Sequence, residues 1–68
     1  MEISGDNIRT VLEGRGMRNA MPLEELMGHF NLSYGNTKGV RKLEQCISEV
    51  LAPRGDIARE NGMLWRRP

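Results

Sequence analysis

The dipeptide Asn61-Gly62 lies between two short runs, Ile57-Ala58-Arg59 and Met63-Leu64-Trp65, and it limits the fold of this chain more than any other feature. A type I′ hairpin turn needs positive φ at both central positions, and Asn and Gly reach that region with the least strain. The segment is therefore expected to close a β-hairpin. Side chains alternate along a strand, which predicts that Ile57, Met63 and Trp65 face inward. A two-stranded hairpin is barely stable alone in water. The extended pair Ala20-Met21 is expected to add a third strand, and helices must cover the sheet.

Upstream of the hairpin the apolar period lengthens to that of a helix. In residues 4–13, Ser4 is placed to cap a helix and Asp6 suits its positive end. Ile8, Val11 and Leu12 form one stripe, and Gly14 and Gly16 end it. A basic, flexible linker follows. Pro22 fits the first turn of a second helix, where its missing N–H would have no partner. Leu23, Leu26, Met27 and Phe30 then fall at i, i+3, i+4 and i+7, the clearest stripe in the chain. Gly28 interrupts it at a cost of up to ~1 kcal/mol relative to Ala, which points to close approach of a neighbouring helix.

Residues 31–36 read as a turn with Leu32 and Tyr34 packed beneath it. Asn36 or Thr37 caps a third helix whose apolar face is Val40, Leu43, Ile47, Val50 and Leu51. Pro53 forbids its continuation. Gly39 is the weak point of that helix. The order is helix, extended pair, helix, turn, helix, hairpin. The expected fold class is α+β: a winged helix-turn-helix of three helices and a small antiparallel sheet, forming one domain over residues 1–68.

Size and composition narrow the function. A chain of 68 residues hides only about 60% of the surface its unfolded form exposes. Its only cysteine, Cys46, cannot form an internal disulfide, and with only His29 beside it no tetrahedral zinc site is expected. The core must come from helix packing. No run approaches the ~18 apolar residues of a membrane span, and the N-terminal residues do not read as a signal peptide. A reduced, intracellular setting is the expectation. No nucleophile-base set and no phosphate-cradling glycine motif appears, so neither an enzyme nor a cofactor or small-molecule substrate is expected.

Net charge is only +1, so the distribution of charge matters more than its sum. Lys38, Arg41, Lys42 and Gln45 lie opposite the apolar face of the third helix, with Glu44 and Glu49 in its second half. In helix-turn-helix proteins the first part of this helix enters the major groove of DNA. Arg and Lys there pair with guanine edges or phosphates, and Gln reads adenine. Asn36 and Thr37 are placed to reach a phosphate at the helix start. Arg54, Arg59, Arg66 and Arg67 give the hairpin a second basic patch, and Arg59 and Arg66 are the wing residues expected to track the backbone. The same cations would equally suit a solvated helix face and a soluble terminus. Trp65 either caps the core or stacks on a partner, and His29 is expected at the surface. Cys46 is expected to be a small buried hydrophobe. Met17, Met21, Met27 and Met63 leave open a third use, pairing through the hairpin edge or a methionine groove.

One resemblance bears on the choice of partner. Ile8-Arg9, Leu12, Met21, Glu25-Leu26-Met27, Phe30, Ile47, Leu51-Ala52-Pro53, Met63 and Trp65 resemble the C-terminal winged-helix domain of the large subunit of TFIIF, a general transcription factor of RNA polymerase II. The resemblance runs from Ile3 to Arg66 and rests mostly on core positions. It implies a nuclear protein-docking module, whose groove between the second and third helices receives an acidic amphipathic helix. Here the matching lip is Lys38, Arg41 and Lys42, with Leu26, Met27, Leu43 and Ile47 lining the groove. Glu44, Glu49 and Arg67 depart from that pattern. Two expectations result: a DNA-binding module of the transcription machinery using the third helix and the wing, and a protein-docking module using the groove.

Overall fold

In the computed structural model, which describes residues 1–67, the local signals set the helix boundaries. Ser4 Oγ accepts a hydrogen bond from the Asn7 N–H at 3.2 Å and opens α1, Gly5–Val11. Gly14 turns the chain away at φ 80°. A single 3₁₀ turn, Met17–Asn19, follows, its loop held by Asn19, which accepts from the Gly16 N–H and donates to the Gly14 carbonyl. Strand β1, Met21–Pro22, runs straight into α2, Leu23–His29. The third strand is thus one residue later than the expected Ala20-Met21. Pro22 caps α2 instead of lying in its first turn.

Helix α2 ends in a Schellman motif. The Leu32 N–H donates to the Met27 carbonyl at 3.0 Å and the Asn31 N–H to the Gly28 carbonyl at 3.1 Å, with Asn31 in the left-handed region at φ 56°. Asn36 then opens α3, Thr37–Cys46, its side chain accepting from the Gly39 N–H at 3.0 Å. The helix widens into a π-helical turn over Ile47–Leu51, where the Ala52 N–H reaches back to the Ile47 carbonyl. Beyond it the chain makes one more turn past Pro53, which Gly55 closes at φ 76°.

Strands β2, Ile57–Glu60, and β3, Met63–Arg66, form the expected hairpin, with Asn61 at φ 52° and Gly62 at φ 76°. The sheet is antiparallel in the order β1-β3-β2, with Met21 opposite Leu64. Among the described residues, three α-helices and a three-stranded antiparallel sheet make the α+β class, an arrangement compatible with a winged helix. Among the described residues no helix is long and apolar enough to cross a membrane.

The core is one apolar cluster, and among the described residues no polar or charged residue is buried in it. Ile8 and Leu12 come from α1, Met21 from β1, and Leu26, Met27 and Phe30 from α2. Leu43, Ile47, Leu51, Ile57 and Leu64 complete it. Arg9 clips its edge. Its guanidinium reaches Asp6 at 2.6 Å and Asp56 at 2.8 Å, tying α1 to the approach of β2. The hydrogen bond to Asp56 raises the Arg9 pKa further and outweighs its desolvation.

Several expectations need correction. Leu64 faces inward, whereas Met63 and Trp65 are only half-buried. A two-residue turn places Glu60 opposite Met63 and Ile57 opposite Arg66, so Ile57 shares its face with Leu64 and not with Met63 or Trp65. Val50 is exposed, because the wider π turn carries it past the core face while Leu51 enters. Tyr34 is exposed instead of packed beneath the turn. Cys46 is half-buried. Gly28 and Gly39 exchange roles. A Cβ on Gly28 would meet nothing within 4 Å, while one on Gly39 would overlap Leu32 Cδ2 and lie 2.9 Å from Asn36 Nδ2. Gly39 lets the start of α3 pack against the turn that leaves α2.

Candidate nucleic-acid interface

The close packing at Gly39 fixes how α3 leaves the turn, and with it the direction of the side chains on either side. Thr37, Lys38, Arg41, Lys42 and Gln45 are all exposed. Among the described residues no carboxylate lies within ion-pair distance of Lys38, Arg41 or Lys42. Three cations without a close ion pair therefore lie within residues 38–42 of α3. Asn36 stands at the same end, but its side-chain oxygen is engaged in capping. Gln45 donates to Glu49 at 3.3 Å, one turn further on. The face thus changes sign along its length, ending in a shallow depression lined by Arg41, Glu44, Gln45, Ser48 and Glu49.

The wing arginines differ in their surroundings. Arg59 Nη2 lies 3.0 Å from Glu44 Oε1, so this cation is paired and ties β2 to α3. Arg66 sits at the opposite end of the hairpin from the turn. Its N–H donates to the Arg15 carbonyl at 2.9 Å, and Gly14, Arg15, Gly16, Arg66 and Arg67 line a second shallow depression. Arg15 itself pairs with Glu25 at 2.9 Å. No spacing in the sequence announces the approach of Arg15 to Arg66, since a strand pairing and a loop bring them together. Arg54 is exposed on the turn after the π segment.

The residues expected to line a groove are placed differently. Leu26, Leu43 and Ile47 are completely buried and Met27 nearly so, which leaves their apolar surface inside the core. Glu24 of α2 and Glu44 of α3 stand nearby. The Tyr34 hydroxyl donates to Glu24 Oε1 at 3.0 Å. That hydrogen bond raises the Tyr34 pKa, with smaller contributions from desolvation and from the charges of Glu24 and Glu44. The sequence offered no pattern for this Tyr-Glu pair, which spans two elements.

Comparison with family models, curated proteins and solved structures gave no match. What the arrangement can do therefore rests on its own chemistry. Among the described residues no three His, Cys, Asp or Glu side chains gather where they could hold a metal ion. His29 is exposed on α2, and Trp65 is half-buried on the sheet face turned away from the core.

Proposed function

We propose that this protein is a non-enzymatic winged-helix module that binds duplex DNA through the basic first half of α3. The observation that carries this reading is the cluster Lys38, Arg41 and Lys42: exposed, without ion-pair partners among the described residues, and on the helix that follows the turn. Arg41 suits a guanine edge, and the two lysines suit phosphates. Thr37 lies beside them at the helix start. Glu44 and Glu49 repel phosphate, which confines the contact to the first half of the helix. Gln45 reads a base only by leaving Glu49, and Arg59 reaches a phosphate only by leaving Glu44. Arg66 contributes from the hairpin base. The transcription setting follows from the TFIIF resemblance. An acidic docking helix is less favoured, because Glu24 and Glu44 border the surface it would cross and the apolar floor is buried.

Binding to a short duplex should weaken with salt. Three released counterions predict a log–log slope of about −2.7, or roughly 40-fold between about 50 and about 200 mM salt. Joint replacement of Lys38, Arg41 and Lys42 by Ala should flatten that slope. If no duplex shifts the amide resonances of residues 38–45 at low salt, the proposal is wrong.

A further inference from the structure

The sheet has a second face, and it is only partly covered: Ala58 is buried there, while Met63 and Trp65 are half-buried. Ala58 lies opposite Trp65 and Glu60 opposite Met63, so these four side chains share the side away from the core. Met17, on the 3₁₀ turn, stands beside them and is 74% exposed, the most of any large apolar side chain among the described residues. Met17, Ala20, Met63 and Trp65 line one depression, and Arg18 and Glu60 border it. Arg18 and Glu60 are exposed and of opposite sign. Neither has an ion-pair partner among the described residues, although they edge the same hollow.

A two-fold interface sets each surface against its own copy, so it must be self-complementary. The strand order β1-β3-β2 sets Met63 and Trp65 of β3 between Arg18, on the turn before β1, and Glu60, on β2, so the patch carries one cation and one anion on either side of an apolar centre and meets that requirement. Rotation about the centre brings each Arg18 against the other copy's Glu60 twice over. A purely acidic or purely basic partner would leave one of the two charges opposed. We propose that the outer sheet face, centred on Met63 and Trp65, is a homodimer interface in which Arg18 of each copy pairs with Glu60 of the other. The whole chain exposes 4485 Å². A standard interface takes about 800 Å² from each partner, roughly a fifth of that surface, and a patch of a few side chains offers less. The dimer is therefore concentration-dependent. The reading is independent of DNA binding, which uses α3.

Charge exchange tests it. Sedimentation of the intact protein from low micromolar to about millimolar concentration should show dimer forming, with amide shifts at Met17, Met63 and Trp65. Arg18→Glu alone and Glu60→Arg alone should each give monomer. An equimolar mixture of the two variants should recover dimer, because one carries two anions and the other two cations. The double variant Arg18→Glu/Glu60→Arg should also dimerise. A monomer throughout the concentration range, a dimer whose shifts lie elsewhere, or single variants that dimerise like the parent would overturn the proposal. Circular dichroism of each variant confirms that the fold is kept.

Discussion

Replacing Gly28 or Gly39 by alanine makes the same chemical change in two settings, and the structure predicts opposite signs. At Gly28 the new methyl group meets open solvent, the backbone has no positive φ, and the residue lies within α2. Alanine lowers the entropy of the unfolded chain and favours the helix, a gain of about 0.4–1 kcal/mol. For a domain of this size that raises the thermal midpoint by about 2–8 °C. At Gly39 the same propensity gain is available, but the Cβ would overlap Leu32 Cδ2 and crowd the Asn36 side chain that caps α3. Overpacking costs about 1–3 kcal/mol and a lost cap about 1 kcal/mol. The net for Gly39→Ala is a loss on the order of 1–3 kcal/mol once the propensity gain is subtracted. Urea and thermal unfolding followed by circular dichroism measure both. A second step isolates the cause: in Leu32→Ala/Gly39→Ala the clash is gone, so the double variant should cost less than the sum of the single ones by about 1 kcal/mol. A Gly39→Ala protein as stable as Gly28→Ala, or strictly additive losses with Leu32→Ala, would refute the close-approach argument.

Other substitutions probe the register and the electrostatics. Leu64→Ala should cost about 2–5 kcal/mol, whereas Met63→Ala, on the outer face, should cost under about 1.5 kcal/mol in denaturant unfolding. Tyr34, the sole tyrosine, should titrate above its ordinary value near 10 because Glu24 accepts the phenolic proton's hydrogen bond. The folded chain holds that proton more tightly. Its contribution to stability is therefore complete below the unfolded value and lost as pH rises through the folded one, and Glu24→Gln should lower the midpoint read by tyrosinate absorbance. Glu44→Gln should release Arg59 and remove a repelling charge, tightening duplex binding and steepening the salt slope by about 0.9.

Much of the fold was legible because local chemistry decided it. Ser4, Asn36 and Asn61-Gly62 each do what their side chains or backbone freedom favour. The stripe of Leu26, Met27 and Phe30 is buried as its period required. What was missed depended on partners distant in sequence. The facing of Met63, Leu64 and Trp65 follows from the pairing of β2 with β3, not from alternation within one strand. Val50 was misplaced because a π turn changes the helical step, and no residue type in Ile47-Ser48-Glu49-Val50-Leu51 signals it. At the candidate interface Lys38, Arg41 and Lys42 were readable from helical spacing. The Arg59–Glu44 pair and the grouping of Arg66 with Arg15 were not, since each joins elements that only the completed sheet brings together.

The strand order carries a consequence for how the molecule is made. β3 is the last strand in sequence yet lies in the middle of the sheet, hydrogen-bonded to β1 on one side and β2 on the other. It also supplies the buried Leu64. During synthesis, therefore, the three helices emerge before the strand that unites the sheet, and β1 waits for a partner more than half the chain away. Until residues 63–66 arrive, the core lacks one wall and Met21 has no strand to pair with. A chain cut within the hairpin therefore loses the middle of its sheet instead of a dispensable edge.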